Sequence, residues 1–208
     1  MSPPDNAQHW RKIRENLTEC ASIVFVHGIN GDPSRTWVAK DRDGQHDWTA
    51  DSGYLPTMLP LCRIFTFKWN ASVIHYNSDA DINNVASALL WQLDLVRQLP
   101  EEKHRKLIFI AHSLGGLLVQ RALTLDNSVQ LEWRKQIQDS TVGIIFLGTP
   151  HGGSQLANMF KRLLYFTDSP RPLFDVLSVG SVELNRITTK FKEYSASQSD
   201  QRTLILPT

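Results

Sequence analysis

A chain of 208 residues, 41% of them hydrophobic and 21% charged, can bury a full core as one α/β domain. The net charge of +1 gives no pull toward nucleic acid, and no basic stripe with interleaved aromatics occurs. The longest apolar runs are about six residues, far short of the roughly 20 that a membrane-spanning helix needs.

Residues 1–20 are polar, with Trp10, Ile13 and Leu17 at helical spacing, and read as an N-terminal extension holding a short helix. The opening Met1 to Asn6 lacks the apolar core of a signal peptide, so an intracellular, reducing compartment is expected. Cys20 and Cys62 have no metal-ligand spacing and are expected as buried thiols; no metal or cofactor is expected.

A first strand is predicted over Ala21 to Val26, running into the Gly-rich turn His27-Gly28-Ile29-Asn30-Gly31. Such a turn can point a freed backbone N–H at a developing oxyanion, or it can be a plain turn with a packed His27. Residues 32–60 read as loop, with Trp37, Trp48 and Tyr54 as anchors, serving either as substrate contacts or a lid, or as structural edging. A strand over Leu61 to Trp69 comes next. A long amphipathic helix then spans about Ile82 to Leu99, its stripe at Ile82, Val85, Ala86, Leu89, Leu93 and Val96.

The stretch from Lys106 to Gln120 carries the chemistry. Leu107 to Ala111 is a short apolar run suited to a strand buried on both faces. From Leu114 the period changes, with apolar residues at Leu114, Leu117, Leu118, Ala122 and Leu125 marking one stripe of a helix. Ser113 stands between them. Strand, small residue-x-Ser-x-Gly, helix is the nucleophile elbow, in which a tight turn lifts the hydroxyl above the sheet edge. The small residues are Ala111, in place of the usual Gly, and Gly115, followed by Gly116. The competing reading is a serine capping a helix.

Downstream, Ser128 to Asp139 is expected as a polar helix or loop and Thr141 to Leu147 as a strand. That strand ends in Gly148-Thr149-Pro150-His151-Gly152-Gly153-Ser154, on the same edge as Ser113 and His27. Helices over 155–166, 173–179 and 182–194, a polar loop over 195–201 and a strand beginning at Arg202 complete the pattern. Strands alternating with helices predict a mostly parallel central sheet with helices on both faces. A dinucleotide-binding fold is disfavoured, because no G-x-G-x-x-G follows the first strand.

Val24-Phe-Val-His-Gly-Ile-Asn-Gly, Phe109-Ile-Ala-His-Ser-Leu-Gly-Gly-Leu-Leu-Val and Phe146-Leu-Gly-Thr-Pro-His-Gly-Gly-Ser together resemble the lipase-like α/β-hydrolases of the DUF676 and PGAP-type group. Within it the chain is most similar to the branch of serine-active-site-containing proteins, and to domains at the N-terminus of fungal NACHT and NB-ARC receptors. The resemblance covers about residues 20–195. It implies an α/β-hydrolase fold over residues 21–208, with Ser113 as nucleophile and the N–H groups of Ile29 and Leu114 as oxyanion donors. The implied substrate is a carboxylic ester, a lipid acyl ester among the candidates, met at mitochondrial or endoplasmic reticulum membranes or in the cytoplasm. His151 matches a histidine held to be structural or site-shaping, with general base as its other reading; His112 is expected to pack away from the nucleophile.

The triad of this fold runs Ser, then Asp or Glu, then His. No histidine follows His151, and the acid is expected after the strand at Leu204 to Leu206. Asp168, Asp175 and Asp200 read as ordinary solvated carboxylates. The expectation is therefore a hydrolase domain incomplete at its C-terminus, of impaired activity. The alternative is an inactive, hydrolase-derived sensing or interaction module joined to downstream receptor domains, although no P-loop occurs in these residues.

Overall fold

The computed structural model describes residues 21–29, 31–42, 44–70, 79–125, 131–150, 182–197 and 204–207. Five apolar segments form one parallel sheet: β1 (Ser22–Val26), β4 (Arg63–Phe67), β5 (Leu107–His112), β6 (Thr141–Leu147) and β7 (Leu204–Pro207), in the order β4-β1-β5-β6-β7. All five residues of β1 are buried, as are the first five of β5. This is why these strands read as continuous apolar runs rather than alternating ones.

The order places a reversal of winding beside β1. From β1 the chain moves outward to β4, then crosses back to β5 on the other side of β1, and continues through β6 to β7. The chain therefore leaves β1 and β5 at their C-terminal ends toward opposite sides of the sheet, and such a reversal is the usual ligand position in open α/β sheets.

The sheet's two faces carry separate cores. Val24, Val26, Phe109, Ala111, Ile144 and Phe146 pack with α3 (Asp79–Leu95), α5 (Leu114–Leu123), α6 (Glu132–Ser140) and α7 (Val182–Ser197). Ile23, Phe25, Ile108, Ile110 and Ile145 pack with Trp37 and Leu55 on the other. Among the described residues this second face is covered by residues 33–59, whose helices are the single turns α1 (Pro33–Thr36) and α2 (Leu55–Met58). The segment is anchored on the sheet by buried Trp37, whose ring meets Phe25 edge-on at 4.8 Å.

The same segment corrects the expectation of plain loop. Val38–Asp41 (β2) and Gly44–Asp47 (β3) form an antiparallel hairpin, with Gly44 at φ +133°. No residue of either strand is buried, and only the adjacent Val38 and Ala39 are apolar, so no apolar alternation marks them in the sequence. Helix α3 ends at Leu95 rather than Leu99, and a separate turn, α4 (Pro100–Lys103), follows. Its stripe also shifts: Leu90 is buried, while Val96 lies exposed beyond the helix end. Helix α7 runs on to Ser197, three residues past the predicted end, because its buried contacts at Ile187 and Phe191 anchor a segment whose last turns are polar. Cys62 is half-buried rather than buried. The expected leading helix, the helices over 155–166 and 173–179, Cys20, Asp168, Asp175 and Asp200 lie outside the described residues.

Candidate active site

Ser113 sits where β5 turns into α5, with φ 52° and ψ −124°, the one non-glycine residue at positive φ among those described. A side chain in that region costs on the order of 1–3 kcal/mol, so the surroundings must impose it. They do so through three backbone ties. The Ser113 N–H donates to Leu147 O of β6 at 2.9 Å, the Gly116 N–H donates to Ser113 O at 3.0 Å, and Thr149 Oγ1 donates to the same carbonyl at 3.1 Å. Although Ser113 occupies the N-cap position, its side chain makes no capping hydrogen bond to α5. The helix-capping reading therefore fails, and the geometry is that of an elbow.

Glycines explain how the elbow can be so tight. A Cβ on Gly115 would lie 2.5 Å from the carbonyl oxygens of both Val26 and His27, so the first turn of α5 rides directly on the end of β1. A Cβ on Gly28 would lie 2.8 Å from Ser113 Cβ, which places the His27–Ile29 corner against the serine on the same rim. Ala111 at the usual Gly position is fully buried and fits the core under α5.

The β1 corner is held by His27. Its Nδ1 lies 2.9 Å from Gly28 O, the Trp69 N–H reaches its Nε2 at 3.4 Å, and Trp69 Nε1 donates to its carbonyl at 3.0 Å. The two rings stack at 5.6 Å. These partners assign the proton to Nδ1 and leave Nε2 as acceptor. Burial, opposed by the Gly28 hydrogen bond and by Asp32, lowers the His27 pKa and keeps the ring neutral. Asp32 caps α1 through the Ser34 N–H and hydroxyl and pairs with Lys68 at 3.0 Å; the Ser34 bonds, then Lys68, hold its carboxyl well below the ordinary range. His27 is thus a packed structural residue, and the Gly-rich turn is nonetheless adjacent to Ser113.

Leu114 is buried, and Ile29 packs half-buried against the larger core. Among the described residues, neither the Ile29 nor the Leu114 N–H makes a backbone hydrogen bond outside the regular elements, and Leu114 is the first helical residue, with no helical carbonyl a turn before it. His112 departs from expectation. It is exposed at the end of β5 rather than packed, with Nδ1 3.2 Å from a Cβ placed on Gly28; partial desolvation, then the nearby His27, lowers its pKa. The cause is its position as the last residue of β5, past the sheet's covered part. His151 lies outside the described residues.

Sequence reasoning singled out the Gly148-Thr149-Pro150 corner but not Thr149 itself, which is buried and bonded to the elbow. It also missed Trp69, which pins His27 across 42 positions of chain. A hydroxyl residue within the Gly-rich strand end was the available signal for the first; no local signal marks the second.

Residues 21–167 match the family described as "Putative serine esterase (DUF676)". The chain belongs to this DUF676 serine esterase family. Its elbow, its β1 corner and its mostly parallel sheet fit the family's α/β-hydrolase fold. Curated relatives similar to this DUF676 chain include Protein SERAC1 of Danio rerio, 30% identical over 168 residues covering 74% of the chain and 25% of that protein. Protein SERAC1 of Homo sapiens is 27% identical over 194 residues, covering 87% and 29%. The chain therefore spans a quarter to under a third of their length. Among solved structures, Bacillus licheniformis lipase BlEst2 in mature form aligns over 89% of the chain and 63% of its own, at 23% identity and a TM-score of 0.45. No helix among the described residues is long and apolar enough to cross a membrane.

Proposed function

We propose that the chain hydrolyses a carboxylic ester with Ser113 as nucleophile and the Ile29 and Leu114 N–H groups as the oxyanion hole. The observation that carries this reading is the strained Ser113 backbone at the winding reversal between β1 and β5, with its side chain withheld from capping the helix below it. Strain of this kind is retained where a reacting group must be presented.

In this reading the Ser113 oxygen bonds to the ester carbonyl carbon, and the carbonyl π electrons move onto its oxygen. Two N–H donors from two different strand ends then stabilise that charge; removing one such donor typically costs about 2.7–4 kcal/mol of barrier. The hydroxyl proton passes to a base and then to the departing alcohol, leaving an acyl-serine that water hydrolyses. His27 is unsuited to be that base, since both ring nitrogens are engaged within the β1 corner. His151 is the candidate within these residues, by resemblance, in a basic or site-shaping role. A histidine after β7, supplied by a longer chain, is the other, because chain order in this fold places it there. A lipid acyl ester is the substrate class the family resemblance favours, and association with a mitochondrial or endoplasmic reticulum membrane is tested by fractionating cells expressing the tagged chain.

A fluorophosphonate probe decides between hydrolase and module. Labelling of the purified chain that disappears in Ser113→Ala supports the nucleophile. A folded chain that takes no label favours the sensing or interaction module joined to receptor domains.

A further inference from the structure

We propose that Thr149 is a positioning residue for the oxyanion hole: its hydroxyl fixes the plane of the Ser113–Leu114 peptide and so aims the Leu114 N–H. The inference rests on the reading of Ser113 and Leu114 just given.

A trans peptide is a rigid plane in which C=O and N–H point in opposite directions. Whatever holds the Ser113 carbonyl therefore sets the direction of the Leu114 N–H at the other end of the same plane. That carbonyl has two lone pairs, and the structure supplies a donor for each: the Gly116 N–H at 3.0 Å, from the first turn of α5, and Thr149 Oγ1 at 3.1 Å, from the loop after β6. One donor leaves a carbonyl free to swing about it. Two donors from different elements remove that freedom.

The hydroxyl itself is locked. Thr149 is 5% exposed, and a Cβ placed on Gly116 would lie 2.0 Å from its Oγ1 and 2.5 Å from its Cγ2. Both branches of the side chain thus occupy the space that Gly116 leaves open. Seating both γ atoms restricts χ1 of a β-branched residue, and the setting adopted directs the oxygen to Ser113. The elbow's second glycine consequently has a role distinct from the first: Gly115 lets α5 approach β1, whereas Gly116 admits Thr149.

The test is steady-state hydrolysis of p-nitrophenyl butyrate by wild type, Thr149→Val, Thr149→Ser and Thr149→Ala, with folding checked by circular dichroism. Val keeps the shape and loses the donor. We expect kcat to fall about 10- to 100-fold with KM within twofold, a smaller loss than the roughly 10²–10³ of removing a donor outright, and Ser to recover most of it. Should Val fail to fold, the Ala and Ser pair, which differs by the hydroxyl alone, gives the same comparison. Retention of wild-type kcat by Val, or an equal loss in Ser and Ala, overturns the inference. Wild type that neither turns over nor labels with fluorophosphonate overturns instead the reading that these 208 residues act as an esterase by themselves, and with it the role given to Thr149, so the two failures are told apart.

Discussion

At Ser113 the ordinary relation between alanine and glycine should invert. At positions with relaxed backbone, Gly→Ala stabilises by about 0.4–1 kcal/mol, because alanine has fewer unfolded conformations to lose. At φ 52° and ψ −124° an L side chain is strained and glycine is not. Ser113→Gly is therefore expected to be more stable than Ser113→Ala by about 1 kcal/mol, measured by chemical denaturation, with both inert to the fluorophosphonate probe. An alanine variant equal to or more stable than the glycine variant would mean that the elbow is relaxed.

Among elements, α7 is the one whose docking depends most on a few side chains. Its outer positions are polar, and its grip on the sheet runs through Ile187 and Phe191, the latter edge-on to Phe146 of β6 at 5.8 Å and beside Tyr194. Tyr194 adds a bond from its hydroxyl to Gln138 O of α6 at 3.3 Å, and burial raises its pKa above the ordinary tyrosine value. Phe191→Ala should cost about 3–5 kcal/mol in urea unfolding, the usual range for a buried phenylalanine. A cost below about 1 kcal/mol would show that α7 contributes little to the fold.

For the whole molecule, two histidines at the rim link stability to pH. His27 and His112 both have pKa values lowered chiefly by desolvation. The unfolded chain, with ordinary values near 6.5, therefore binds more protons than the native one in the interval just below 6.5. Stability is fully present above about pH 6.5 and is lost as pH falls from there toward the lowered native values. The denaturation midpoint should thus drop between pH 7.5 and pH 5, and His27→Asn should flatten that slope. An unchanged slope in the variant would assign the pH dependence to other groups.

The apolar runs at Ser22–Val26, Leu107–Ala111 and Thr141–Leu147 were legible because a strand covered on both faces has to be apolar throughout, and that demand is written residue by residue. The elbow was legible for the same local reason: Ser113, Gly115 and Gly116 answer steric demands made within a few residues. The β2–β3 hairpin was not, since its exposed polar strands carry no apolar period, and neither was the end of α3, which lost Val96 to solvent. Which corners meet Ser113 was decided by the sheet order, because β1 and β5, separated in the chain by β4 and α3, are neighbours only in the folded sheet. Gly28 against Ser113, Trp69 over His27 and Thr149 on the Ser113 carbonyl are contacts between residues 36 to 85 positions apart, and such pairings exist only in the folded sheet, where strand register rather than local sequence fixes their distances.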